Sequence, residues 1–465
     1  MRENQKSITV IGAGLAGCEA AWQAANRGVT VTLCEMKPQQ YSPAHHYPGF
    51  AELVCSNSLK AARIGSAAGL LKEEMRRLGS LSMRSAAETA VAAGGALAVD
   101  REQFSDSITQ RIKSHPNITV VSGEVTKIPE QGIVVVATGP LTSDGLAQSI
   151  REYLGSETLS FYDAAAPIVS YDSLDLDKVF FAARYGRGDA DYINCPMDRE
   201  EYERFYQELI HAESAPLHEF ETGLTVYEGC MPVEVMAKRG PDTLRFGPLK
   251  PVGLTDPKTG KRPWAVVQLR RENTAGSLYN LVGFQTNLKF PEQKRVFSLI
   301  PGLGSAQFMR YGVMHRNTFL DSPRLLGAAG NLRKEPRIFF AGQMTGVEGY
   351  IESAASGILC GMNAVRLLEG KPLAVLPRDT MLGALMGYIS DEQVENFQPM
   401  GANMGILPPS PQRIRDKAKR YELAALRALE SLQLAIDRDG LLDGLAPGIA
   451  GPTGLEELLS PNAQE

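Results

Sequence analysis

The first 35 residues change hydrophobic period twice. Residues 7–11 (SITVI) and 29–34 (VTVTLC) are β-branched and apolar, and between them Leu15 to Ala25 repeats apolar and small residues at helical spacing. This predicts strand, helix, strand, with the helix opening near Leu15, closing at Gly28, and the second strand ending at Glu35. Residues 66–80 and 101–114 read as amphipathic helices, NITVVSGEVTKI (117–128) as a hairpin-like strand pair, and QGIVVVATGP (131–140) as an apolar strand ending in Thr-Gly. From about 150 to 325 strands are short and turns frequent. Near 336 the α/β style returns: PRIFFAGQMTG (336–346) is a strand entering a glycine turn, and 350–368 a helix rich in Ala, Ser and Gly. A last helix is expected over 411–437, with Leu423, Leu426, Leu429 and Ile436 as its apolar side. The expected fold is α/β, a Rossmann-like domain built from 1–150 and 326–440. It is interrupted by an α+β insertion over 151–325 and followed by a Pro/Gly-rich, mobile tail at 441–465.

Composition adds exclusions. With 43% hydrophobic and 22% charged residues, the 465-residue chain has the make-up of a soluble globular protein. No apolar run approaches the length of a membrane span, and the start lacks a signal-peptide apolar region, so a cytoplasmic location is expected. Six cysteines, at 18, 34, 55, 195, 230 and 360, form no CxxC pair or metal-ligand spacing. That argues against zinc and iron–sulfur sites and suits reduced thiols. Net charge is −5, yet 231–340 holds 18 Lys/Arg against 7 Asp/Glu, whereas 151–230 holds 17 acidic and 6 basic residues. A local basic stretch in an acidic chain fits a polyanionic partner.

GAGLAG (Gly12, Ala13, Gly14, Leu15, Ala16, Gly17) follows an apolar strand, opens a helix and precedes an acidic strand end. Gly12 allows the tight turn, Gly14 the approach of a pyrophosphate, and Gly17 close helix packing. The helix N-terminus offers N–H groups to phosphates, and Glu35 is placed to accept from ribose hydroxyls. Thr138 and Gly139 look like a second dinucleotide-contacting segment. Gly342, Gln343, Gly346 and Glu352 fall in a strand–turn–helix like the flavin-facing segment of two-dinucleotide-binding-domain flavoproteins. The three segments together favour FAD over NAD as the bound dinucleotide. Two cysteines sit in polar or turn-like surroundings, Cys55 in VCSNSLK and Cys230 in GCMP. A thiolate there could serve as a nucleophile.

GAGLAGCEAAWQAANRG, ELVCSNSLK, GGALAVDR, YEGCMPVE, LRFGPLKPVGL, VGFQTNLK, MHRNTF and FFAGQMTGVEGYIESAASG together resemble the bacterial folate- and FAD-dependent tRNA (uracil-5-)-methyltransferases, over residues 8 to 440. The resemblance implies a reaction. NADPH or NADH reduces FAD, 5,10-methylenetetrahydrofolate supplies the carbon, and the T-loop uridine of tRNA is the target, with no obligatory protein partner. It also implies that Cys230 adds to carbon 6 of uracil, while Cys55 helps to deprotonate carbon 5 or to protect the flavin adduct. The basic residues it would use on RNA are Lys238, Arg239, Arg245, Lys250, Arg270, Arg310 and Arg316, with Arg413, Lys417 and Arg420. His315 is a candidate to contact folate or base. Two other readings are a longer wobble-uridine flavoprotein that works with a GTPase, and a flavin-containing RNA-binding protein without methyl transfer. The cysteine pair argues against the last, since binding needs no nucleophile.

Overall fold

In the computed structural model, β1 (Ser7–Ile11) pairs in parallel with β2 (Thr30–Glu35) on one side and with Ile133–Val136 on the other, Ile8 facing Val31 and Ile133. The residues described are 7–155, 159–164, 166–186, 190–215, 231–273, 275–312, 314–394, 397–409 and 414–450; of 159–164 and 314–318 only the backbone is described. The six-stranded sheet runs 331–332, 335–340, 133–136, β1, β2, 118–122, parallel except for the two-residue edge strand. Val134, Val135 and Val136 are fully buried, as a parallel sheet covered on both faces requires.

Residues 117–128 do not form a hairpin. Only Ile118–Ser122 is a strand, and it joins β2 in parallel. Gly123, at φ +140°, then turns the chain, its N–H donating to the Glu35 carbonyl. Few residues other than glycine adopt that backbone.

Helix α1 (Leu15–Ala25) lies against the helix Tyr350–Leu368 at backbone-to-backbone distance. A Cβ on Gly357 would stand 2.2 Å from the Ala16 carbonyl oxygen, and one on Gly361 2.5 Å from that of Ala20. The small residues of 350–368 therefore serve the helix crossing. The amphipathic stretch at 66–80 becomes the helix Ala67–Arg77, followed after a turn at Gly79 by a second helix, Leu81–Glu88. Glu19, buried on α1, caps it by accepting from the N–H groups of Leu81 (3.0 Å) and Ser82 (2.8 Å).

Residues between Ala166 and Phe308 build a second core. Its antiparallel sheet runs 180–181, 192–197, 265–271, 278–281, 168–170, 308–310. The helices Arg199–His211 and Phe290–Phe297 pack on it. A ribbon of Leu159–Ala164 and Met314–Phe319 carries the chain into and out of this unit.

The last helix is Lys417–Asp439, capped by the Asp416 side chain; residues 410–413 lie outside the described residues. The stretch after it is packed rather than loose as far as Ala450. Leu441 is buried, Ala446 N–H donates to the Asn26 carbonyl, and Leu445 and Ile449 approach Gly79. Residues 451–465 lie outside the described residues.

Candidate active site

Strand β1 stops at Ile11, and Gly12 turns the chain at φ +97°. The three motif glycines differ in what surrounds them. A Cβ on Gly12 would stand 2.7 Å from the Ala137 carbonyl oxygen, and one on Gly17 1.8 Å from that of Gly12, so both are packing positions. At Gly14 the nearest such atom is 4.0 Å away, which leaves its Cα open to the cleft. Buried Glu35 holds the turn: its carboxylate accepts from Ala13 N–H (2.7 Å) and Lys37 N–H (3.0 Å).

Two chambers meet along this turn. One, of about 660 Å3, is lined by Gly12, Ala13, Glu35 and Lys37 among others. The other, of about 850 Å3, is lined by Leu15, Ala16, Gly139, Gly342, Gln343 and Cys55 among others. Gly14, His45, Glu52, Ala137, Thr138 and Leu141 line both, so the chambers form one long cleft. An elongated cleft with an open glycine turn at its middle and a carboxylate at one end fits a dinucleotide such as FAD.

Of the cofactor residues expected from sequence, Gly346 and Glu352 are not in this cleft. Gly346, at φ +87°, backs onto the Phe397 ring, where a Cβ would stand 2.4 Å away. Glu352 is fully buried, paired with Lys60 (2.6 Å) and accepting from Ala402 N–H (3.0 Å). Every residue from Ile351 to Val365 of that helix is buried, Glu352 among them.

The sequence reading passed over His45, Glu52 and Tyr350, which also line the cleft. Glu52 accepts from His46 N–H (2.9 Å) and Tyr47 N–H (3.1 Å) and pairs with Lys37 (3.3 Å). Burial pushes the His45 imidazole below its ordinary pKa, against the opposing pull of Glu52. The aromatic and charged run HHYPGFAE (45–52), just ahead of Cys55 in the chain, was the available signal.

Cys55 sits half-buried on a loop gripped residue by residue. Arg101 donates to the carbonyls of Leu53 (2.8 Å) and Val54 (2.9 Å), and Arg310 also donates to Val54. The Tyr350 hydroxyl accepts from Cys55 N–H (2.6 Å) and Ser56 N–H (3.3 Å). Arg270 donates to Ser56 Oγ (2.6 Å) and Asn57 Oδ1 (3.0 Å). Asn57 in turn donates to the Arg271 carbonyl (2.8 Å). Arg270 is thus buried away from the surface, and Arg310 is half-buried. Arg270 is 7% exposed, and both guanidiniums are held below their ordinary pKa, chiefly by burial.

Cys230 and Arg413 lie outside the described residues, as do the side chains of His315 and Arg316. The description resumes at Met231, and Pro232 opens the short helix Val233–Ala237. Lys238 and Arg239, just beyond it, are exposed, as are Lys417 and Arg420 on the last helix; Lys250 is half-buried. Arg245 lies over the Trp264 ring at 3.6 Å. Among the described residues, no helix is long and apolar enough to cross a membrane, and no group of three His, Cys, Asp or Glu could hold a metal.

Comparison with known proteins places this geometry. A family model described as "Glucose inhibited division protein A" matches residues 7–372. The methylenetetrahydrofolate–tRNA-(uracil-5-)-methyltransferase TrmFO of Acetivibrio thermocellus is 60% identical over 92% of this chain and 98% of its own. That of Desulforamulus reducens is 59% identical over 94% and 99%. Among solved structures, Aquifex aeolicus GidA superposes with a TM-score of 0.67 at 17% identity, covering 94% of this chain and 75% of its own, a likeness of fold. By sequence over nearly its whole length, the chain belongs to the methylenetetrahydrofolate–tRNA-(uracil-5-)-methyltransferase family, within the wider family of glucose inhibited division protein A.

Proposed function

We propose that the chain methylates carbon 5 of the T-loop uridine of tRNA. The carbon comes from 5,10-methylenetetrahydrofolate and the electrons from FAD, recharged by NADPH or NADH, in the cytoplasm and without an obligatory protein partner. The observation that carries this reading is a cysteine in the wall of a dinucleotide cleft, in a chain 60% identical to a named enzyme of this reaction. FAD, when bound, supplies the redox and one-carbon chemistry. The chain supplies the rest. Gly14 and the start of α1 receive the pyrophosphate, and Glu35 accepts from the ribose while bracing the turn. Cys230 adds to carbon 6 of a uridine drawn out of its stack, which makes carbon 5 nucleophilic. Cys55 then works at carbon 5, where a proton must leave.

The RNA side follows from the surface beyond Met231. Phe246 is 80% exposed. An exposed aromatic ring among lysines and arginines suits a stacked base and its phosphates. Phe246→Ala is expected to weaken tRNA binding by about 1–3 kcal/mol, and Lys238→Ala to lower the salt slope of binding by about one. Filter binding across a salt series measures both. Unchanged affinity and slope would remove this face from the RNA interface.

The reaction itself is tested with unmodified tRNA transcript, reduced nicotinamide and isotopically labelled methylenetetrahydrofolate. Label is expected in T-loop 5-methyluridine after digestion. A flavin-loaded protein that binds tRNA and leaves every nucleoside unlabelled would sink the proposal.

A further inference from the structure

The loop that carries Cys55 is held by residues from both structural units. Arg101 opens the helix Arg101–Ser114, Tyr350 opens the helix Tyr350–Leu368, Arg270 belongs to the strand Ala265–Arg271, and Arg310 ends the strand Phe308–Arg310. Three arginines meet here, and among the described residues one carboxylate answers them: Glu272, 4% exposed and paired with Arg101. Arg101 keeps a buried amino group, Nη2, without a hydrogen-bond partner among the described residues. The seam thus carries a surplus of buried positive charge, a costly state unless an anion stands against it.

We infer that Arg310, with Arg101 beside it, is a positioning residue for Cys55: it fixes the peptide that precedes the thiol and favours the thiolate at neutral pH. Arg310 grips the Val54 carbonyl, one residue from the thiol. A charge on Cys55 opposes the loss of proton affinity that burial imposes on Arg310. Such coupling is reciprocal, so the guanidinium stabilises the thiolate to the same extent. Among the described residues, the other groups facing Cys55 do not cancel this. Burial keeps the Tyr350 phenol neutral, Arg270 is a further cation, and Glu272 is matched by Arg101. Across the chamber, His45 is held towards its neutral form and Glu52 pairs with Lys37. A cationic setting with partial exposure marks reactive rather than inert cysteines.

The inference rests on Cys55 being the reactive thiol of the proposed function, but its test reads the thiol and not methyl transfer. Flavin-loaded enzyme is alkylated with iodoacetamide across a pH series, and the Cys55 peptide is quantified by mass spectrometry. The wild-type midpoint is expected at least about one unit below the ordinary thiol value of about 8.5. Arg310→Gln keeps a donor for Val54 and removes the charge; it should raise the midpoint by about one unit. Arg310→Lys should restore most of the shift. A wild-type midpoint at or above the ordinary value overturns the inference whatever the variants do. So does an Arg310→Gln midpoint equal to that of the wild type, because a clamp without an electrostatic role would give that result. If Arg310→Gln fails to load flavin, the wild-type midpoint decides: a value at least about one unit below the ordinary one supports the inference and a value at or above it overturns it. Methylation that survives Cys55→Ala would instead refute the reading of Cys55, leaving the alkylation profile to stand alone.

Discussion

Cys55→Ala is expected to end methyl transfer while leaving flavin uptake and tRNA binding intact. The loop is held through main-chain groups and neighbouring side chains: the Leu53 and Val54 carbonyls, the Cys55 and Ser56 N–H groups, Ser56 Oγ and the Asn57 amide. Alanine leaves all of these in place and removes a half-buried sulfur that lines the chamber. Losing a positioned proton-transfer group typically lowers rate by about 10²–10⁴-fold. Single-turnover transfer of labelled carbon to tRNA measures it, with flavin absorbance as the control for folding. Cys55→Ser, similar in size but a far weaker acid, should be nearly as inactive. Wild-type turnover by Cys55→Ala would remove this residue from the chemistry.

Gly357→Leu is expected to produce protein largely without flavin. The Ala16 carbonyl oxygen would be 2.2 Å from the new Cβ, and no rotamer can relieve a clash made by the Cβ itself. The two helices must part, and α1 carries the glycine turn that forms the cleft. Overpacking costs about 1–3 kcal/mol, occasionally more, and a clash with backbone belongs at the upper end. If the whole of about 3 kcal/mol falls on the bound form, flavin affinity drops about 100-fold. Gly65→Ala is the contrast, since nothing lies within 4 Å of a Cβ there. Flavin content and melting temperature of the two variants check this; equal values would mean the crossing tolerates separation.

The sequence exposes local chemistry better than burial. The β1–α1–β2 unit, Glu35, the small-residue helix at 350–368 and the loop position of Cys55 were legible because each depends on residues close in the chain. The period of TVTLC and the glycine spacing need no distant partner to be read. Arg270 was misread for the opposite reason. A guanidinium in AVVQLRR looks like a solvated charge until a loop more than 200 residues earlier turns out to offer it Ser56 and Asn57. Glu352 was placed at the flavin because it follows the glycine turn, whereas Lys60 and Ala402, both remote in sequence, bury it elsewhere. At 117–128 two plausible strands were separated by Gly123, and the φ of one glycine decided that only the first enters the sheet.

The central sheet also sets a schedule for biosynthesis. The strand Ile133–Val136 finds its neighbour on one side only when Glu335–Phe340 arrives, and the paired residues Val134 and Ile338 are 204 positions apart. At about 5–20 residues per second of translation, that edge waits roughly 10–40 s on the ribosome while the insertion is made and folds around its own core. An unpaired run of valines is a template for the wrong partner during that interval. The nascent chain therefore passes through a stage in which its half-built nucleotide domain carries an unpaired strand edge. Damage to the insertion's folding lengthens that stage before it touches any catalytic group.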